Sequence, residues 1–432
     1  MTSARESGDV MFELDQLSPS VRSLKPSATL KINEESNQLI AQGKSVIKLG
    51  LGQSPFPVPE IVVESLQAAA REKDYLPVKG LQPLRATVAD YYRGRTGLGF
   101  SSDSVLIGPG SKELLFNLQM ACQSDLLIPA PSWVSYAPQA QLLGRQVTYL
   151  PVSAENRWQI QPDQLDQYCQ SNPSKTRLLI LNYPSNPTGC GYDAASFKQL
   201  AVVARKHKLI IVADEIYAET SFSGQFQSLA EFYPEGTVIS SGLSKWCGAG
   251  GWRLGLMVFP DELRPLQDAM AVIASETFTS ISAPTQYAAI TAFTPSSAID
   301  AYLEASRKVL KVISDYMVSR LRDCRLEMEA PEGGFYLFVS FQKWRAMLSR
   351  KGIETDETLC ARILDETGIA MLPGSDFGMT ADQLYTRMAY VDFDGARALS
   401  AIGAGISDNF MDEYCPKLVR ACDVLSEWLG NK

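Results

Sequence analysis

The chain has 432 residues, 45% of them hydrophobic and 20% charged, which is enough apolar material for a large core and predicts two domains. A formal net charge of -8, with Lys and Arg dispersed, excludes an unspecific nucleic-acid binder, whose affinity comes from basic residues against phosphates. No run reaches the roughly 18 consecutive apolar residues of a membrane helix, and the start MTSARESGDV lacks the apolar block of a signal peptide, so the expected location is cytoplasmic.

The eight cysteines show no CxxC spacing and are expected to be free thiols. A single histidine, His207, leaves no route to a multi-histidine metal site and only one residue around which a Ser-His-Asp triad could form. In ARKHKLIIVADE it falls between a helix and a strand and reads as a surface residue. No metal is expected.

The first ten residues are polar. The segment ATLKINEESNQLIAQG then predicts a helix, with Ser27 as a candidate N-cap and Gly43 just past the end. From about residue 50 short apolar runs alternate with helical patterns: SVLIG before SKELLFNLQMA, DLLIPA before SWVSYAPQAQLLG, RLLILNY before DAASFKQLAVVARKH. KLIIVADE, TVISSG and RLGLMVF follow as further strands. Continuous apolar strands separated by helices indicate a mostly parallel sheet covered on both faces. From about 300 the texture changes to a long helix, AYLEASRKVLKVISDYMVSRLRD, and the short strands FYLFVS and YTRMAYV. The expected fold class is α/β, with a mostly parallel seven-stranded sheet in a large domain over 53–300. A smaller α+β domain takes 20–52 and 301–432, and 1–19 form a flexible arm.

Sheets of this kind bind ligands at the carboxyl ends of their strands. After SVLI comes GPGSKE, where Gly110, Ser111 and Lys112 open a helix whose free N–H groups suit an anion, or form an ordinary turn. After RLLILNY, Asn186 sits in PSNPTG as a stiffly held amide. After KLIIV, Asp214 and Tyr217 of ADEIY stand at a strand end, and a carboxylate there pairs with a ligand cation or caps the next segment. After TVISSG comes SGLSKWCGAGGWRLG, in which small residues leave room around Lys245 and Arg253 follows eight positions later. Desolvation and a nearby cation push such a lysine toward its neutral, nucleophilic form. An amine that attacks carbonyls forms Schiff bases, and the cofactor that uses one is pyridoxal phosphate. Its phosphate, ring nitrogen and flat ring would match the anion turn, Asp214 and Trp133 of PAPSWVSY.

On GLSKWCGAGGWRLG, YPSNPTG, VADEIY and PGSDFG, in that family's order and spacing, the sequence resembles the fold-type I, class I/II pyridoxal-phosphate-dependent aminotransferases, and within them the bacterial aspartate aminotransferase subgroup. The resemblance runs from LSPSVRSLKPSATLKIN to TRMAYV. It implies that Lys245 carries the cofactor as a Schiff base and shuttles the proton, that Asp214 keeps the ring nitrogen protonated, and that Asn186 and Tyr217 bond the ring oxygen. It implies Trp133 stacked on the ring, and Gly110, Ser111, Lys112, Ser244 and Arg253 around the phosphate. Tyr75 would reach that phosphate from a neighbouring subunit, which implies a homodimer with shared sites. Arg387 and Gly52 would meet the substrate α-carboxylate beside Trp133 and Asn186.

Gly242 stands where the family often has a hydroxyl, and the loop between MACQS and DLLIPA lacks the usual Gly-Asp-Glu turn. Residues 113 to 144 contain no Lys or Arg to recognise an acidic side chain. The expected activity is therefore amino transfer from an L-α-amino acid to a 2-oxo acid such as 2-oxoglutarate by a ping-pong course. A carbon-sulfur β-lyase on the same fold and a non-enzymatic pyridoxal-phosphate-binding regulator are the alternatives. A NAD-binding oxidoreductase needs a G-x-G-x-x-G turn that GPGSKE does not complete.

Overall fold

The computed structural model describes residues 16–22, 24, 26–172, 176–403 and 405–430. The expected arm over 1–19 lies mostly outside them, and a short helix begins at Pro19.

Seven strands form the central sheet: β1 Val105–Gly108, β2 Asp125–Ala130, β3 Val147–Pro151, β4 Arg177–Asn182, β5 Ile210–Asp214, β6 Thr237–Gly242 and β7 Gly255–Val258. Their spatial order is β1-β7-β6-β5-β4-β2-β3, and only β7 runs against the others. The edge strand β3 is the one that the apolar-run pattern misses, because its exposed Tyr149 and half-buried Thr148 interrupt the run.

Strand side chains alternate between the two faces. Leu126, Ile128, Leu178, Ile180, Val212 and Met257 pack with helices Ser111–Ala121 and Tyr136–Leu142 in one cluster. Their neighbours Leu127, Leu179, Leu181, Ile211 and Ala213 join Phe197 and Leu200 of helix Ala194–Lys206 on the other face. Burial on both faces explains why these strands read as unbroken apolar runs.

A third cluster gathers helix Ser297–Asp323, strand Tyr336–Ser340 and helix Pro416–Leu429. Strand Tyr385–Ala389 lies antiparallel between Tyr336–Ser340 and Leu372–Pro373. Near the start of the chain, Ile47–Lys48 pairs in parallel with Ile369–Ala370, and Ile32 packs near Phe338 and Phe377. Helix Ala28–Ala41 follows Ser27 as the sequence predicts, although the Ser27 side chain makes no capping bond.

His207 is half-buried at the end of helix Ala194–Lys206, with its ring on the Asp166 carboxylate. The surface expectation therefore holds only in part, because a carboxylate on helix Pro162–Ser171 covers the ring. All eight cysteines are free and buried. Among the described residues no group of three metal-ligating side chains comes together, and no helix is long and apolar enough to cross a membrane.

Candidate functional site

Strand register puts the chemistry on one edge. Gly108 of β1 and Gly242 of β6 both pair with Gly255 of β7, and Asp214 of β5 lies between Asn182 and Ser240. The loops carrying Gly110, Asn186, Tyr217, Lys245 and Arg253 therefore leave the sheet side by side.

Gly110 takes φ +90° and opens helix Ser111–Ala121. A Cβ there would fall 2.3 Å from Nη2 of Arg253, and one on Gly255 would fall 2.2 Å from the Ser111 nitrogen. Only glycine lets the guanidinium lie against the turn. Arg253, itself at φ 57°, donates to the carbonyls of Gly250 at 2.9 Å and Pro109 at 3.2 Å. The amides of Ser111 and Lys112 belong to the first turn, which has no intrahelical acceptors for them. Helix terminus and guanidinium together make an anion seat. Ser244 borders it, half-buried beside Gly250. The Lys112 ammonium stands 5.2 Å above the centre of the Trp133 ring, and burial and the Arg253 charge lower its pKa.

Lys245 Nζ donates to the carbonyl of Gly52 at 2.7 Å. Desolvation and then Arg387 push its pKa down to about 8, against the opposing pull of Asp214. Asp214 accepts a bond of 2.5 Å from the Tyr136 hydroxyl on Oδ2, while Oδ1 is buried with no hydrogen-bond partner of normal geometry. Burial raises this carboxyl to about 6. A buried acceptor without a donor is costly, and a protonated nitrogen placed against Oδ1 would satisfy it.

The Tyr217 hydroxyl lies 2.7 Å from that of Tyr336. Arg387 is 1% exposed, between the rings of Tyr336 at 4.7 Å and Phe377 at 5.2 Å. It donates to Oδ1 of Asn186 at 3.3 Å and, by a short bond, to the carbonyl of Gly50, and Nε has no partner. None of the ion pairs among the described residues involves Arg387. A buried guanidinium served by neutral acceptors is a seat for a carboxylate.

Lys245, Asp214, Asn186, Tyr217, Arg387, Gly52, Gly110, Ser111, Lys112, Trp133, Ser244 and Arg253 thus meet at one edge. Tyr75 is 91% exposed and shares no described hydrogen bond or ring contact with them. Sequence reading passes over Tyr136, Tyr336 and Phe377, which look like ordinary core aromatics. The one available signal is Tyr136, three residues after Trp133 and so on the same side of a helical turn.

Comparison with known proteins gives a consistent picture. The sequence model of the family "Aminotransferase class I and II" matches residues 44–393. The aspartate aminotransferase of Geobacillus stearothermophilus is 34% identical over 373 residues, covering 84% of this chain and 92% of that protein. The aspartate/prephenate aminotransferase of Thermus thermophilus is 30% identical, covering 84% and 91%. Among solved structures, aspartate aminotransferase from Thermus thermophilus with maleate superposes with a TM-score of 0.81 at 27% identity, covering 94% of this chain and 99% of that one.

Proposed function

The chain belongs to the class I and II aminotransferases and moves an amino group from an amino acid to a 2-oxo acid; on that premise we propose that Lys245 is the residue that carries pyridoxal phosphate. The carbon-sulfur lyase and regulator readings find no support among these relatives. The observation that carries the proposal is a desolvated lysine amine on the same edge as Asp214, whose buried Oδ1 has no hydrogen-bond partner of normal geometry. The residues fit the cofactor: an anion seat for the phosphate, an acceptor for a protonated ring nitrogen, and Trp133 for the flat face.

When bound, the cofactor supplies an electron sink for the Cα–H bond of the amino acid. The chain supplies the rest. Asp214 holds the proton on the ring nitrogen, and Tyr136 holds Asp214. Asn186 and Tyr217 present their polar ends to the ring oxygen, and Lys245 Nζ, once free, moves the proton. The first-turn amides of Ser111 and Lys112, with Gly110, Ser244 and Arg253, hold the phosphate. Arg387 and the loop at Gly52 bind the α-carboxylate, which gives the buried guanidinium the anion that its neutral carbonyl acceptors do not supply.

The proposed donor is an acidic amino acid and the acceptor 2-oxoglutarate. Curated relatives are named for aspartate, and the Lys112 side chain stands over Trp133 in no described ion pair, free to meet a second carboxylate. The working unit is a homodimer in which the exposed Tyr75 completes the partner's phosphate site.

Borohydride reduction of the loaded protein followed by peptide mapping tests the assignment. The label belongs on Lys245, and label on Lys112 instead would overturn it.

A further inference from the structure

Tyr336, in PEGGFYLFVS, opens the strand Tyr336–Ser340 and is 1% exposed. Three of the proposed site residues touch it. Its hydroxyl is 2.7 Å from that of Tyr217, and its ring face carries the Arg387 guanidinium carbon 4.7 Å from the centroid. Its Oη also presses on the substrate loop, where a Cβ at Gly52 would fall 2.0 Å away. The carbonyl of Gly52 in turn accepts from Lys245 Nζ.

A phenol has one proton to give. Tyr217 can spend its own on a ligand's ring oxygen only if the 2.7 Å contact is a donation from Tyr336 to Tyr217. A hydroxyl that accepts a hydrogen bond is polarised into a better donor. The face of the same ring attracts the guanidinium through its quadrupole, which holds it in place while one of its nitrogens bonds the Gly50 carbonyl.

We propose that Tyr336 is a positioning residue with two separable parts: its hydroxyl sets the direction of the Tyr217 proton, and its ring face seats the Arg387 clamp. This rests on the assignment of Tyr217 as donor to the ring oxygen. Tyr336→Phe removes the first part and leaves the ring in place, and Tyr336→Leu removes both.

The test is a pH titration of the visible absorbance of the loaded enzyme, with donor KM measured alongside. Donation to the ring oxygen withdraws charge that otherwise holds a proton on the Lys245 nitrogen, so weakening it raises the apparent pKa. Tyr217→Phe gives an upward shift. Tyr336→Phe gives a smaller upward shift, about 0.3 to 1 unit, with donor KM held within about twofold. Tyr336→Leu adds a rise in KM of about three- to thirtyfold for every donor. A shift in Tyr217→Phe with none in Tyr336→Phe overturns the hydroxyl's role, and an unchanged KM in Tyr336→Leu overturns that of the ring face. No shift in Tyr217→Phe itself removes the assignment of Tyr217 and the role of Tyr336 with it.

Discussion

Asp214 and Lys245 are displaced in opposite directions by the same cause. Desolvation raises the carboxyl to about 6 and lowers the amine to about 8, so each moves toward its neutral form. Two buried groups brought toward neutral pH in this way mark a place for acid–base work. The amine consequence is measurable in the cofactor-free protein. Its neutral fraction grows as pH rises through about 8, whereas an ordinary lysine needs pH near 10.5. Competitive acylation read by mass spectrometry should show Lys245 half-labelled near pH 8, with the exposed lysines about two units later. A Lys245 profile that coincides with theirs would place the amine in ordinary solvent.

At the scale of elements, the strand-end loops hold their geometry through neighbours distant in sequence. The loop after β5 carries Tyr217 and, two residues on, the buried Glu219. Its carboxylate pairs with Arg95 from helix Gln82–Thr96 and, at 2.9 Å, with Arg307 from helix Ser297–Asp323. Tyr91 also donates to it, and Arg307 Nε bonds the Glu219 carbonyl at 2.7 Å. Glu219→Gln strands two cations, which in buried networks costs about 3 to 5 kcal/mol. Urea unfolding should show a loss of that size, and a change below about 0.5 kcal/mol would mean that the network contributes nothing net. Lys245, Asp214, Asn186 and Arg253 are legible in the sequence because polar residues break apolar strands at their ends, where α/β sheets keep their sites. Glu219 is not: YAETSFSG reads as a solvated loop, and helix Ser297–Asp323, some ninety residues later, covers it. Tyr136 and Tyr336 escape for the opposite reason, since an aromatic among apolar residues carries no sign that its hydroxyl faces a site.

The whole molecule combines a sheet that supplies one edge of loops with a second cluster that brings Arg387 and Tyr336 over it. The sheet was legible from unbroken apolar runs, and its reversed strand β7 was not, because direction depends on pairing rather than on pattern. That strand matters, since reversal places Arg253 at its start, on the same edge as the ends of the others. The proposed function needs a cofactor held at this edge and a unit of two chains. It is tested most directly by resolving the loaded protein by size and exposing each fraction first to an amino-acid donor, then to 2-oxoglutarate. The two-chain fraction is expected to lose its visible absorbance with aspartate or glutamate and to regain it with the oxo acid. A one-chain fraction that completes the cycle would contradict the shared site, and donor consumption with no recovery by any oxo acid would contradict amino transfer.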